Sequence, residues 1–282
     1  MTTRRGFVAG LAAFAAAPTL AQPPASQASV RFAVTGALEQ GSLALGSAPP
    51  GSIVALDGRP LHVTREGRFT FGFAHDQTAA SLVSVRYPDG GGDSRSFTPG
   101  IRKYDEQRVS GLPQATVTPD PVQAARIARE AEEIFLARLD DMAGSDFLNG
   151  FDWPAPGPLS GVFGSRRINN GIPGARHYGV DVAAPAGTPI RAPADGAVKI
   201  SADHFVNGGF TLLDHGQGVT TAYLHQASRF VRAGDVVRRG QVIGHIGATG
   251  RATGPHLHWA MNWFQVRLDP SRTTRTPAPP PL

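Results

Sequence analysis

The chain has 282 residues, 41% hydrophobic and 17% charged, a globular composition long enough for one large domain or two modest ones. The absence of cysteine excludes a disulfide framework and a cysteine-ligated zinc, so any metal has to be held by His, Asp or Glu. A net charge of +5 suits an anionic partner, but the excess is scattered arginine with no block of five basic residues, which argues against nucleic acid.

Residues 1–21 have the pattern of an export signal. A positive start with Arg4 and Arg5 precedes an apolar run from Phe7 to Ala17, and small residues lead to a cleavage point after Ala21. Thr3-Arg4-Arg5-Gly6-Phe7 is similar to a twin-arginine signal, with an ordinary secretory signal as the alternative. The run is too short for a permanent membrane anchor, and no later segment is long and apolar enough to span a bilayer. The expected location is outside the cytoplasm, in the periplasm or cell envelope.

With 34 glycines and 24 prolines, the chain favours turns and short strands, and the predicted fold class is mainly β. Over residues 28–100, VRFAVTG, GSIVALDG, LHVTREGRFTFGF and SLVSVRYPDG alternate apolar with polar residues between glycine turns, predicting a β-sandwich-like domain. His62 and His75 lie here without ligand-like neighbours. Residues 101–150 are expected to form a linker with one connecting helix. Asp120 offers an N-cap, Pro121 the first helical position and Gln123 the reciprocal cap. Ile127, Ala131, Ile134, Phe135 and Leu139 follow at helical spacing, predicting an apolar face against a sheet and a stop near Gly144.

Residues 151–270 change character: glycine-rich loops surround strands such as GAVKI, FTLLDH, TTAYLH and QVIGHIG. Residues 271–282 are proline-rich and expected to be disordered. Seven of the nine histidines lie between 177 and 258. In GPHLHW, His256 and His258 are two apart, so a strand would project both from one face. In RHYGVDVAAP, His177 and Asp181 stand at an even spacing in an extended-looking segment. TTAYLHQ adds Tyr223 and His225. A catalytic zinc takes about three protein ligands and keeps a position open for water. His177, Asp181, His225, His256 and His258 supply three ligands and two imidazoles for proton transfer, a set sufficient for amide hydrolysis. Spacing does not say which three bind.

From Leu159 to Trp263 the chain resembles the lysostaphin/LytM-type zinc metalloendopeptidases, which cut peptide cross-bridges of bacterial cell walls. The resemblance is carried in order by SGVFGSR, by His177-Tyr178-Gly179-Val180-Asp181 with its AAPAGTPIRAPADGAV continuation, by Tyr223-Leu224-His225, and by VRAGDVVRRGQVIGHIGATGRATGPHLHW. It implies an antiparallel β-rich peptidase domain over 151–270 that holds one Zn2+ per chain through His177, Asp181 and His258. His225 and His256 would be the catalytic imidazoles beside a zinc-activated water, and peptidoglycan peptide stems the substrate. Tyr223 ranks below these five. Gln226 and Ala252 depart from the usual Leu and Ser of the family, at positions that are not ligands. His204, His215 and His245 fall outside the ligand positions. The hairpin also resembles that of lipoyl and biotinyl carriers, but it has no lysine to modify. Two rival functions are a non-catalytic wall factor that activates a separate amidase, which should lack ligands, and a zinc peptidase acting on protein substrates.

Overall fold

The computed structural model describes residues 31–282, which cluster as one unit. The export signal lies outside the described residues. Among those described, no helix is long and apolar enough to cross a membrane.

Seven short strands come first: β1 (Ala33–Thr35), β2 (Leu43–Ser47), β3 (Ile53–Leu56), β4 (Arg59–Pro60), β5 (Arg68–Gly72), β6 (Ser81–Arg86) and β7 (Gly92–Phe97). They form two antiparallel sheets, in the orders β1-β2-β5 and β4-β3-β6-β7. Alternation decides what each buries. Val83 and Val85 of β6 point inward while Leu82 is exposed, and Phe69, Phe71 and Phe73 are fully buried. Gly67 closes the turn into β5 at φ +84°, where a Cβ would lie 1.9 Å from the Ala48 carbonyl oxygen. Strands β2 and β7 escaped the sequence reading. The first is mostly buried and the second mostly exposed, so neither shows clean alternation.

The C-terminal part is built on one large sheet. Its path runs β17 (Val236–Val237), β14 (Gly196–His204), β15 (Gly208–Gly216), β16 (Val219–Arg229), β19 (His256–Trp263), β12 (Val180–Ala183), β9 (Leu159–Gly161). Strand β18 (Val242–Ile246) bridges β16 and β13 (Pro189–Arg191), and β20 (Val266–Leu268) closes a hairpin on β19. Beside it, β8 (Glu106–Val109) pairs in parallel with β10 (Arg166–Asn169), which pairs with β11 (Ile172–Arg176). One face of the large sheet carries Val180, Val182, Tyr223, Leu257, Trp259 and Met261 into the same core as the N-terminal phenylalanines. An ion pair of 2.8 Å from Arg102 to Asp269 ties the two regions together. The opposite face carries a smaller cluster of Ile200, Phe210, Leu212, Ala222 and Ala260.

A short helix α1 (Gln114–Val117) leads to α2 (Pro121–Ala137). Asp120 and Gln123 form the predicted reciprocal cap. The predicted burial and end of this helix are corrected. It stops at Ala137, well before Gly144, and none of its residues is buried. Phe135 is 48% and Leu139 53% exposed, and only Ile134 and Ala137 pack on the smaller cluster. The helix stands over the second face of the sheet instead of sealing against it. The tail is also corrected: residues 271–282 lie along the start of the C-terminal part. Trp153 Nε1 donates to the Thr276 carbonyl at 3.0 Å, Arg275 Nε to Asp152 at 2.7 Å, and Gly157 N–H to the Pro280 carbonyl at 2.9 Å.

His215 shows how a core imidazole responds to pH. It is 3% exposed in β15, with Nδ1 donating to the Asp195 carbonyl and Nε2 bonded to the Thr221 hydroxyl, both at 2.7 Å. Burial pushes its pKa down to about 4. An unfolded imidazole titrates near 6.5, so the unfolded chain takes up the proton first. Stability should therefore fall as pH drops from about 6.5 to about 4, by about 3 kcal/mol for this group at about 1.4 kcal/mol per tenfold change in proton affinity. His215→Gln should flatten the slope of unfolding free energy in that window. An unchanged slope, measured by denaturant titration at each pH, would refute the assignment.

Candidate metal centre

Two adjacent strands present the site. Val180 and Val182 point to the main core, so Asp181 between them faces the other way. Across the ladder Asp181 pairs with His258, and Ala183 pairs with His256. His256 and His258 therefore share the Asp181 face, as their spacing predicts. His177 lies just before β12, its N–H donating to Ser165 O at 2.8 Å and its carbonyl accepting from Gly164 at 2.7 Å.

His177, Asp181 and His258 converge. His177 Nε2 lies 2.9 Å from Asp181 Oδ1 and 2.8 Å from His258 Nδ1, and His258 Nδ1 lies 2.9 Å from the same carboxylate oxygen. All three are at least largely buried. Their orientations have local causes. A carbonyl can only accept, so the 3.0 Å contact of His177 Nδ1 with Val162 O puts the proton on Nδ1 and turns the Nε2 lone pair to the cluster. Arg167 Nη2 donates to Asp181 Oδ2 at 2.6 Å, which leaves Oδ1 for the histidines. Two nitrogens and a carboxylate oxygen suit a divalent metal of the zinc type. Tetrahedral bonds of about 2.0–2.2 Å would set these donors roughly 3.3 Å apart, within reach of small side-chain rotations.

His225 arrives by a different route. Strict alternation would send it to the core with Tyr223, which is fully buried there and hydrogen-bonded to Thr221. The backbone at His225 is instead left-handed, φ +63°, and this re-aims the side chain. Its ring centroid lies 4.8 Å from that of His256 and 6.2 Å from that of His258. His225 Nδ1 donates to Thr249 O at 2.8 Å and His256 Nδ1 to Gly254 O at 2.9 Å, so each presents a bare Nε2. That of His256 is 3.8 Å from Asp181 Oδ1. All five candidates thus meet, while Tyr223 belongs to the packing.

Burial sets the charge states. It would raise the Asp181 carboxyl, but hydrogen bonds and charge from His177 and His258 outweigh it and hold the group well below the usual range. Burial pushes His258 down to about 4, against its bond to Asp181. Burial, with His256 and His258 nearby, pushes His225 down to about 3. At neutral pH the carboxylate is ionised and both imidazoles are neutral, the forms that donate lone pairs.

Sequence reasoning missed Arg167, which stands 14 positions before its carboxylate partner and reaches it through the fold. It included Gly161 and Gly179 in its motifs without the steric reason for either. A Cβ at Gly161 would lie 2.2 Å from Asp181 Oδ2, and one at Gly179 would lie 2.6 Å from both His258 Nε2 and the Trp259 carbonyl oxygen. Gly179→Ala should therefore displace the His258 ring and weaken metal binding about 10–100-fold, the scale of losing support around a ligand. A metal titration giving wild-type affinity would refute this. The other five histidines are not among the converging donors: His62 bonds to the Asp141 carbonyl, His75 packs edge-on to Tyr178, His204 stacks on Phe210, His215 is in the core, and His245 packs on Phe230.

The profile of peptidase family M23 matches residues 175–270. Peptidoglycan DD-endopeptidase ShyC of Vibrio cholerae is 43% identical over 101 residues, 36% of this chain and 23% of that protein. ShyB of the same organism is 42% identical over 134 residues, 48% of this chain and 29% of that one. DD-carboxypeptidase/endopeptidase Mpg of Neisseria meningitidis is 48% identical over 83 residues, 29% of this chain and 19% of that protein. The chain thus spans less than a third of the length of these curated relatives. A crystal structure from Pseudomonas aeruginosa, described as a candidate M23 peptidase, is 31% identical and superposes with a TM-score of 0.65. That match covers 84% of this chain and 94% of the other, so the likeness takes in the N-terminal sheets as well as the histidine-bearing strands, and the chain belongs to peptidase family M23.

Proposed function

We infer that the protein is an exported zinc-dependent endopeptidase that hydrolyses the peptide cross-links of peptidoglycan. The observation that carries this is the convergence of five side chains from three separated segments: a His-Asp-His donor set with two further imidazoles beside it. Membership of the family and the names of the Vibrio cholerae relatives support the substrate. The pattern of residues 1–21 supports export.

His177, Asp181 and His258 would hold the zinc. Bound there, zinc supplies a Lewis acid that polarises a carbonyl and lowers the pKa of water from 15.7 toward about 7. His225 and His256 handle the proton. Their Nδ1–H groups are anchored on backbone carbonyls, so each Nε2 is fixed in direction and free to accept. His225, kept neutral by burial, takes the proton of the attacking water and returns it to the departing amine. His256, more open to the groove, presents the second bare Nε2, which accepts a hydrogen bond from the attacking water and holds it in line with the carbonyl.

The test is zinc content of the purified protein, with hydrolysis of wall sacculi measured on the same sample before and after chelation. One zinc per chain is expected, with activity lost on chelation and restored by added zinc. Zinc without hydrolysis of sacculi but with cleavage of peptides would move the substrate to proteins. Neither zinc nor hydrolysis would favour the amidase-activating factor, which the complete donor set argues against.

A further inference from the structure

A cavity of about 840 Å³ opens beside the metal cluster, with the sheet as its floor and α2 as its roof. Its charge is one-sided. Arg138, Arg167, Arg176, Arg251 and Arg267 line it, against two carboxylates, Glu130 and Asp181. Both carboxylates are already engaged. Glu130 takes Arg126 and the Phe205 N–H, and Asp181 takes Arg167 and the histidines. Among the described residues Arg138, Arg251 and Arg267 have no acidic partner.

Arg138 and Arg267 are near enough to repel each other and neither has an acidic partner among the described residues. Arg138 caps the end of α2 and is 5% exposed, and its Nε is buried without a hydrogen-bond partner. Gln265, two residues before Arg267, holds the helix end from below through a 3.0 Å bond to Phe135 O. Arg267 pairs with Asn262 on the β19–β20 hairpin, so it shares the strand face of His258 and Ala260. Asn262 is 1% exposed, and both of its side-chain polar atoms are unpartnered. The Arg138 guanidinium is pushed down to about 9 by burial and then by Arg267, and burial also lowers Arg267. A buried and a half-buried cation that repel each other, with Arg267 resting 5.3 Å over the Tyr178 ring and neither facing a counter-ion among the described residues, are a costly arrangement that an anion would relieve. The planar forks of arginine match a carboxylate in particular.

We propose that Arg138 and Arg267 form a carboxylate-binding subsite that selects peptides bearing a free carboxylate a few residues from the scissile bond. The inference rests on the endopeptidase reading for its peptide ligand. Positions 258 and 262 are roughly 13 Å apart along β19, and an arginine side chain spans part of that, so the carboxylate lies about two to four extended residues from the metal cluster. The carboxylate is either a C-terminal one or that of an acidic side chain.

The experiment uses the full chain and synthetic peptides spanning a cross-link in three forms: free acid, C-terminally amidated, and side-chain amidated. Binding is measured by calorimetry and turnover by product release. The wild type should bind the free acid at least tenfold more tightly than one amidated form, and the form that fails identifies which carboxylate is read. Arg267→Gln should raise KM for the free acid about tenfold, leave kcat nearly unchanged, and leave the discriminated amide unaffected. Arg138→Met should do the same while raising Tm, since it removes an unpaired buried charge, whereas a structural arginine would lower Tm on removal. Equal binding of all three forms by the wild type, or equal losses on acid and amide in the variants, would overturn the subsite. Selective binding without turnover would keep the subsite and reject the endopeptidase reading. Turnover without selectivity would do the reverse.

Discussion

Asp181→Ala is expected to remove zinc and reduce hydrolysis to background, a loss of at least about 10³-fold if the metal supplies several kcal/mol of barrier lowering. Asp181 is the single anion among the three donors, and its Oδ1 touches both histidines at 2.9 Å. Without it, a divalent cation would face two neutral imidazoles with the Arg167 guanidinium behind them. The same change strands Arg167, whose Nε is already buried without a partner. Breaking an ion pair this sheltered costs roughly 3 kcal/mol. Lowered activity from instability and lowered activity from metal loss must therefore be separated. Asp181→Asn keeps the shape and can accept from Arg167, so it should melt closer to the wild type and still bind no zinc. Zinc content by mass spectrometry, read beside the melting curve, decides between them. An Asp181→Asn protein with a full zinc complement would remove Asp181 from the donor set.

His225→Ala should give the opposite pattern: zinc retained, KM little changed, and kcat lowered about 10²–10⁴-fold, the usual contribution of a positioned base. Its Nε2 lies beside the cluster but outside the three converging donors. The left-handed backbone at this residue offers a control. A side chain at φ +63° costs about 1 kcal/mol that glycine does not incur. His225→Gly should thus be as inactive as His225→Ala yet more stable by about 1 kcal/mol. If the glycine protein loses zinc, His225 holds the metal instead of moving the proton.

The residues differ in how much of this was legible beforehand. His256 and His258 could be placed on one face because they lie on a regular strand, where a spacing of two is decisive. His225 could be counted among the candidates but its direction could not be read, because one left-handed residue reverses the alternation, and only the resemblance to a family gave it a role apart from the ligands. Arg167 carries no local signal, since it is one of many arginines and its role exists only once β10 lies beside β12. The capping box of α2 was readable from three residues, whereas the burial of the helix was not. Its apolar positions line a chamber, and periodicity does not distinguish a packed face from the roof of a cavity. The tail shows the converse error: proline-rich composition suggests disorder, but proline carbonyls still accept hydrogen bonds, as Pro280 does from Gly157.

The direct pairing of Asp181 with His258 has a consequence for how such a protein can change over time. Donor and core residues alternate on the same two strands, so an insertion or deletion of one residue in either would exchange the metal-facing row for the hydrophobic one. Neither row tolerates the other's place. The site is therefore closed to gradual sliding or respacing. It can be lost cleanly by single substitutions that leave the sheet standing, but it cannot drift into a different metal geometry without taking the core apart. Descendants of this chain should be either complete at these positions or plainly missing a donor on an intact scaffold.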